Sequence, residues 1–386
     1  MKNIFKRTTA LVLFLTILLS LCACGKSESE TTTSALPQTT TAPAPKEENF
    51  NRLTGLDNLS KKAKGKRPVA VMINNINVSL PQYGIGKADL MFECLVEGGI
   101  TRMMAVYADY TKIPNVCSIR SCRYYFPILA YGLDAVYFCF GSNKSLGTAT
   151  LERLKIDYID GSVNTDDLIY ARDPERLARY SREHTAYLKG ENMPEILKKY
   201  KIRTDYKEGK DKYIFDFQKP AKISSVACDE ATLVFSNAYY STFKYDSEKK
   251  VYLKEHSGSP HMDSSTGKQL SYVNVFALET DISLYDGGPL VEMNWKGGTG
   301  YYISRGTIKK ITWTKADEAS SIVVKDKSGN EIKVNRGNSY FGFVNSGKVE
   351  LSSSTKEALK TSSAALTSSA ATASTAAQTT VSVSNN

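Results

Sequence analysis

The stretch ADLMFECLVEGGITRMMAVYAD, residues 88–109, decides how the folded part of this chain is read. Leu90, Phe92, Cys94 and Val96 occupy one set of alternate positions. Asp89, Met91, Glu93, Leu95 and Glu97 occupy the other. Period-two alternation marks a strand, whose successive side chains point to opposite faces. Gly98-Gly99 then offers a tight turn, and Thr101 to Tyr107 reads as a second strand folding back on the first. Helix is the competing reading, because Asp89, Glu93 and Glu97 also recur every four residues.

Working outward, residues 68–73 (PVAVMI) form an apolar run of strand length, and 135–140 (AVYFCF) another that ends at Gly141-Ser142. Between them lies CSIRSCRYYF, residues 117–126, with two arginines inside an apolar and aromatic run. Ser121 is a good N-cap, and residues 122–131 can follow as helix with Gly132 to end it. Pro127 is awkward in mid-helix and predicts a kink or a short first turn. Residues 146–154 and 194–200 read as further helices. Strands and helices mix without a repeating unit, so the class is α+β.

The second half is strand-rich. Candidate strands are 213–217, 232–235, 242–245 with 251–254, 273–278, 301–304, 308–313, 322–325 with 331–334, and 340–344. Turns such as DSEKK, KSGN and KGGTG separate them, which suggests an antiparallel sandwich or open barrel.

The N-terminus decides the compartment. Lys2, Lys6 and Arg7 precede an apolar core at residues 10–21, followed by Leu21-Cys22-Ala23-Cys24. A basic start, a short apolar stretch and a small residue before the cut make a secretory signal. The Leu-x-Ala-Cys ending resembles a bacterial lipobox, with Cys24 as the lipidated first residue; an ordinary signal peptide or an uncleaved anchor is the alternative. Several acyl chains on one cysteine give stable membrane attachment. The expected division is a signal peptide at 1–23, a Ser/Thr/Pro tether at 24–50 and an N-terminal α+β domain at 51–212. A strand-rich C-terminal domain at 213–351 and a disordered Ser/Thr/Ala tail at 352–386 complete it. A coil of about 25 residues reaches roughly 25–30 Å from the membrane.

The formal net charge is +10, and removing the signal's three cations leaves 10 − 3 = +7. In that compartment the excess suits anionic lipids or wall polymers. Nucleic acid is excluded by location and by the lack of any recognition motif. Cys94, Cys117, Cys122, Cys139 and Cys228 are odd in number and contain no CxxC, so small buried thiols are expected. Cys117 and Cys122 would lie roughly 16 Å apart in an extended strand, and a disulfide between them needs a tight turn.

The segments RPVAVMINN (67–75), residues 88–107, IRSCRYYF (119–126), LDAVYFCFGS (133–142), YARDPER (170–176) and EHTAYL (183–188) occur in an order that resembles the YerB-like lipoprotein family. SPHMDSSTGKQLSYVNV (259–275) and GTGYYISRGTIKKITW (298–313) resemble that family's C-terminal domain. The resemblance covers residues 52–346 and implies two domains, a lipid anchor and no established activity. Cys117 and Cys122 stand where the family has Gly and Ala, Cys139 where it often has His, and Glu183 where a proline precedes His184.

An anion site is the strongest chemical expectation: Arg120, Ser121 and Arg123 at a helix start, joined by Arg102 and Arg172, facing a carboxylate, phosphate or wall polymer. The competing reading pairs the arginines internally with Asp89, Glu93 or Glu97. His184 and Glu93 are the candidate acid–base groups of an alternative, enzymatic reading. His256, His261 and Asp263 match no metal-ligand spacing, so no metal and no cofactor is expected. Ser241-x-x-Lys244 fits an SxxK pattern but lies in a strand, and the partner motifs are out of order. The sequence thus favours a non-enzymatic binding or adaptor protein of the bacterial cell envelope. Its partner would be an anionic wall polymer or an envelope protein such as a wall-synthesis enzyme. The alternative is an envelope hydrolase or transferase using Glu93 or His184 with Arg120 and Arg123.

Overall fold

A ten-stranded sheet forms the frame. From edge to edge it runs Val323–Lys325, Thr307–Thr314, Gly297–Ser304, Asn274–Glu279, Ser339–Val344, Leu90–Leu95, Thr101–Tyr107, Val69–Asn74, Val136–Cys139 and Tyr158–Asp160. The structure is a computed structural model that describes residues 49–362. Cys24, the rest of the signal and most of the tether lie outside the described residues, as does the tail beyond 362. Among the described residues no helix is long and apolar enough to cross a membrane.

The opening stretch is a β-hairpin. Leu90 pairs with Val106, and the ladder closes at Leu95 opposite Thr101. Gly98 and Gly99 both take a φ of 71°, a left-handed conformation that glycine adopts without strain. Helix loses because the alternate positions serve two different cores. Met91 joins a core with Val71, Met103, Phe243 and Tyr340. Leu90, Phe92 and Cys94 join one with Met104, Phe126, Leu129 and Phe341.

The two halves of the sequence share this sheet. Leu90–Leu95 runs parallel to Ser339–Val344, with Met91 opposite Tyr340 and Glu93 opposite Gly342. Both strands are buried along nearly their whole length, as parallel strands covered on both faces are. Helices Tyr125–Gly132 and Ala149–Leu154 cover one face. On the other lies a smaller sheet, ordered Ser259–Pro260, Val251–His256, Tyr240–Asp246, Glu230–Val234 and Val349–Leu351. The strands expected to form a sandwich or open barrel of their own are therefore divided between these two sheets and a separate pair, Asp216–Gln218 with Lys333–Asn335.

Two local expectations need correction. Ser121 does not cap a helix: it lies four residues before the first helical residue, and its hydroxyl donates to the Phe140 carbonyl at 3.2 Å. The helix begins at Tyr125, which places Pro127 in its first turn. First-turn N–H groups have no intrahelical partner, so proline costs nothing there. The tail also orders further than expected. Residues 353–362 are helical, Ser352 Oγ accepts the Thr355 N–H at 3.1 Å, and Leu359 is buried. The capping serine, the packing of Leu359 into the core and the Thr355 hydroxyl's bond to the Ala227 carbonyl account for it.

Candidate functional site

The predicted arginines separate into two groups. Arg102 and Arg123 converge on Glu97, the residue that opens the glycine turn. Arg102 Nη2 lies 3.1 Å from Glu97 Oε1, and its Nη1 donates to the Ser121 carbonyl at 2.8 Å. Arg123 Nε donates to Glu97 Oε2 at 2.7 Å, and its Nη2 pairs with Oε1. Burial raises the Glu97 pKa, but the Arg123 hydrogen bond and both guanidinium charges outweigh it and hold the carboxyl near 2. Burial and the neighbouring Arg123 push Arg102 down to about 10. Asp89, another expected acceptor, instead takes N–H groups from Asn51 and Ala108, and burial lifts it to about 6.

Arg120 and Arg172 face elsewhere. Arg120 Nη1 donates to the Glu183 carbonyl at 3.4 Å, and its Nη2 lies 3.9 Å from Glu183 Oε1. His184 Nε2 approaches the same oxygen at 3.4 Å. Asn74 Nδ2 donates to His184 Nδ1 at 3.0 Å, so the neutral ring keeps its proton on Nε2. Burial, and then Arg120, lower the His184 pKa. Arg172 ends the strand Tyr170–Arg172. Its Nη1 donates to the Arg182 carbonyl at 2.6 Å, and its guanidinium stacks 4.6 Å from the Phe140 ring centre. Arg172, Arg182 and Phe140 line an open groove of about 460 Å³ with Ser162 and Thr165.

Glu93 is not with these arginines. It projects toward the smaller sheet and is 1% exposed. Asn75 Nδ2 and Thr101 Oγ1 donate to its Oε1 at 3.0 and 2.9 Å. Tyr340 and Ser241 hydroxyls donate to its Oε2 at 2.7 and 3.0 Å, and Lys254 Nζ lies 3.3 Å from the same oxygen. Burial raises its pKa, but Lys254, His256 and the hydroxyl donors bring the net shift downward. Lys254 Nζ also reaches His261 Nδ1 at 3.0 Å, and His261 Nε2 meets Gln82 Oε1 at 2.9 Å. His256 Nε2 meets Asn77 Oδ1 at 2.9 Å. Burial, and then Lys254, push His256 down to about 4. Asp263 accepts the Gly84 and Gly86 N–H groups. Among the described residues no cluster of potential ligands is arranged around a metal position. Cys94, Cys117, Cys122, Cys139 and Cys228 are free, buried thiols.

Residues 53–203 match the N-terminal domain of a protein family of unknown function, DUF3048, and residues 231–341 match its C-terminal domain. The chain belongs to this family. It is 29% identical over 281 residues to the "Putative lipoprotein YerB" of Bacillus subtilis, covering 71% of this chain and 80% of that protein. The crystal structure of the YerB protein from Bacillus subtilis shares the fold, with a TM-score of 0.67 at 23% identity over 78% of this chain and 99% of that one. The resemblance read from the sequence is thus to the right family.

Within this family member, the sequence reading missed Lys254, Asn75 and Tyr340, and dismissed Ser241 as a false motif. A signal was available. The strand Val251–His256 alternates partly exposed and buried residues, and its buried positions are Tyr252, Lys254 and His256. A lysine and a histidine at core positions require buried partners.

Proposed function

We propose that this chain is a lipid-anchored protein on the extracytoplasmic face of the cell membrane that binds an anionic polymer of the cell envelope without transforming it. The lipobox cysteine, Cys24, and the printed name of the Bacillus subtilis relative support the location. One observation carries the binding role: Arg172 and Arg182 line an open groove with the Phe140 ring between strand and loop. A guanidinium beside an aromatic face pairs an anion while the ring packs on the sugar or backbone beside it. Arg102 and Arg123 orient the segment through Glu97 rather than contacting the partner.

The test is binding of the full chain to anionic wall polymer and to its charge-neutral counterpart. The parent binds the anionic form preferentially, and Arg172→Gln weakens it about tenfold, the loss of one charge-assisted bond. Equal binding of both polymers, or no change in a folded Arg172→Gln protein, overturns the reading.

A second, enzymatic reading rests on the approach of Arg120 and His184 to one oxygen of Glu183. A cation, a carboxylate and an imidazole at one point can serve acid–base chemistry. Against it, the Nδ1 lone pair already accepts from Asn74. Altered mass of wall fragments after incubation with the parent, abolished in His184→Gln, would favour catalysis.

A further inference from the structure

The first described turn of the chain carries an arginine that the protein itself leaves incompletely bonded. Arg52 is 7% exposed, and its Nε and Nη1 are buried without a hydrogen-bond partner. Among the described residues no ion pair is formed with it; its guanidinium instead lies 4.3 Å from the centre of the Tyr206 ring. A buried cationic N–H without an acceptor is costly, and such groups are normally satisfied. Arg52 lines a cavity of about 270 Å³ whose walls include Phe50, Tyr206 and Tyr213, with Lys64 and Lys66 at its margin. The acid among its lining residues is Asp211, and Lys66 is held by Asp205 at 2.6 Å.

We propose that this cavity is a binding site for a phosphate group, with Arg52 as the buried anchor and Lys64 as an outer cation. Phosphate supplies several acceptor oxygens and at least one negative charge, which suits the donors of a guanidinium backed by an ammonium. The three aromatic rings give the glycerol or sugar beside the phosphate an apolar wall. The cavity shares no residue with the Arg172 groove, so the two sites stand or fall separately. Phosphate of this kind comes either from a phospholipid headgroup or from a free phosphate ester. Arg52 lies two residues beyond the 24–50 segment that would join a lipidated Cys24 to the fold, which is why the headgroup is one of the two sources tested.

Calorimetric titration of the full chain at low salt decides it, with three probes: inorganic phosphate, glycerol 3-phosphate and monomeric dihexanoyl-phosphatidylglycerol. The parent binds at least one of them, Arg52→Gln weakens that binding by at least about tenfold, and Lys64→Glu weakens it several-fold. Tighter binding of the phosphodiester lipid identifies the headgroup as the source; tighter binding of the monoester identifies a free phosphate. A probe whose binding is lost in Arg172→Gln and kept in Arg52→Gln sits in the Arg172 groove and counts against this site. Lys64 is exposed, so its variant folds even where Arg52→Gln does not, and it then carries the test. The proposal is overturned if no probe binds the parent at about 10 mM, or if folded Arg52→Gln or Lys64→Glu binds as well as the parent.

Discussion

Replacing Lys254 by methionine isolates the buried junction between the two sheets. The apolar stem stays, and the ammonium 3.3 Å from Glu93 Oε2 is lost. Lys254 and Glu93 side chains are 0% and 1% exposed, so water does not replace the missing charge. Removing one partner from a buried pair costs about 3–5 kcal/mol, because the other charge stays behind. Glu93 keeps the neutral donors Asn75, Thr101, Ser241 and Tyr340, which places the cost in the lower part of that range. At roughly 2 °C per kcal/mol for a chain of this size, the midpoint falls by about 6–8 °C. Glu93→Gln alone strands Lys254 against His261 and has a similar effect. The double variant Glu93→Gln/Lys254→Met removes both charges and recovers at least about 2 kcal/mol of the summed losses. Urea unfolding followed by tryptophan fluorescence measures it, since Trp313 is 1% exposed in the shared core. Additive single losses, or a Lys254→Met protein within about 0.5 kcal/mol of the parent, would refute the claim that the pair is coupled.

Three further outcomes follow from the same geometry. Glu97→Gln leaves Arg102 and Arg123 without their shared carboxylate and destabilises the fold by about 2–3 kcal/mol, reduced from a fully buried pair because Glu97 is partly exposed; a loss below about 0.5 kcal/mol in urea would contradict it. His256 is held near 4 in the fold against an ordinary value of 6.5. Its contribution is therefore present above pH 6.5 and lost as pH falls through 4, by up to about 3 kcal/mol. A folded His256→Gln protein loses less stability than the parent between those pH values; parallel pH profiles would rule this out. Gly342→Ala sets a methyl 2.4 Å from Leu233 Cδ2 and costs about 1–3 kcal/mol by overpacking, read as a lower melting midpoint.

The elements that the sequence made legible were those whose alternation or length served one local purpose. The hairpin at 90–107 announced itself through alternate apolar positions and a double glycine, and Val136–Cys139 through a short apolar run. The junction between the halves carried no local signal. LMFECL and SYFGFV are each apolar enough to be central strands, but nothing within either names the other as its neighbour. The pairing is set by surfaces far apart in the chain. The arginine segment was legible as an internally constrained one, and Glu97 was among the acceptors expected for it. Which arginines stayed with Glu97 and which turned toward Glu183 or Phe140 depended on the strand register and on where Pro127 let the helix begin. Arg52 escaped notice because Tyr206 is distant in sequence and nothing in the pattern of residues at the start of the N-terminal domain marks an arginine as buried.

The place of the charged pair suggests why it is kept, although apolar side chains of the same volume would pack without desolvating two ions. Glu93 and Tyr340 are 247 residues apart in sequence, and no hairpin loop fixes how their strands align. Apolar strands buried on both faces discriminate poorly between registers. A slip of one residue would turn Glu93 to the opposite face, among Phe276, Leu129 and Phe341, where those side chains offer no donor. An unpaired carboxylate in that setting costs several kcal/mol, about the scale of breaking a buried pair. The ion pair therefore selects one alignment even where it adds little net stability. Glu93→Leu/Lys254→Leu should accordingly melt at or above the parent's temperature yet show an ensemble, with more than one set of amide resonances for the residues of Leu90–Leu95 and Ser339–Val344. A double variant with a single sharp set of resonances would mean instead that apolar shape alone fixes the register, and that the pair has been retained for the partner chemistry of the neighbouring His256 and His261.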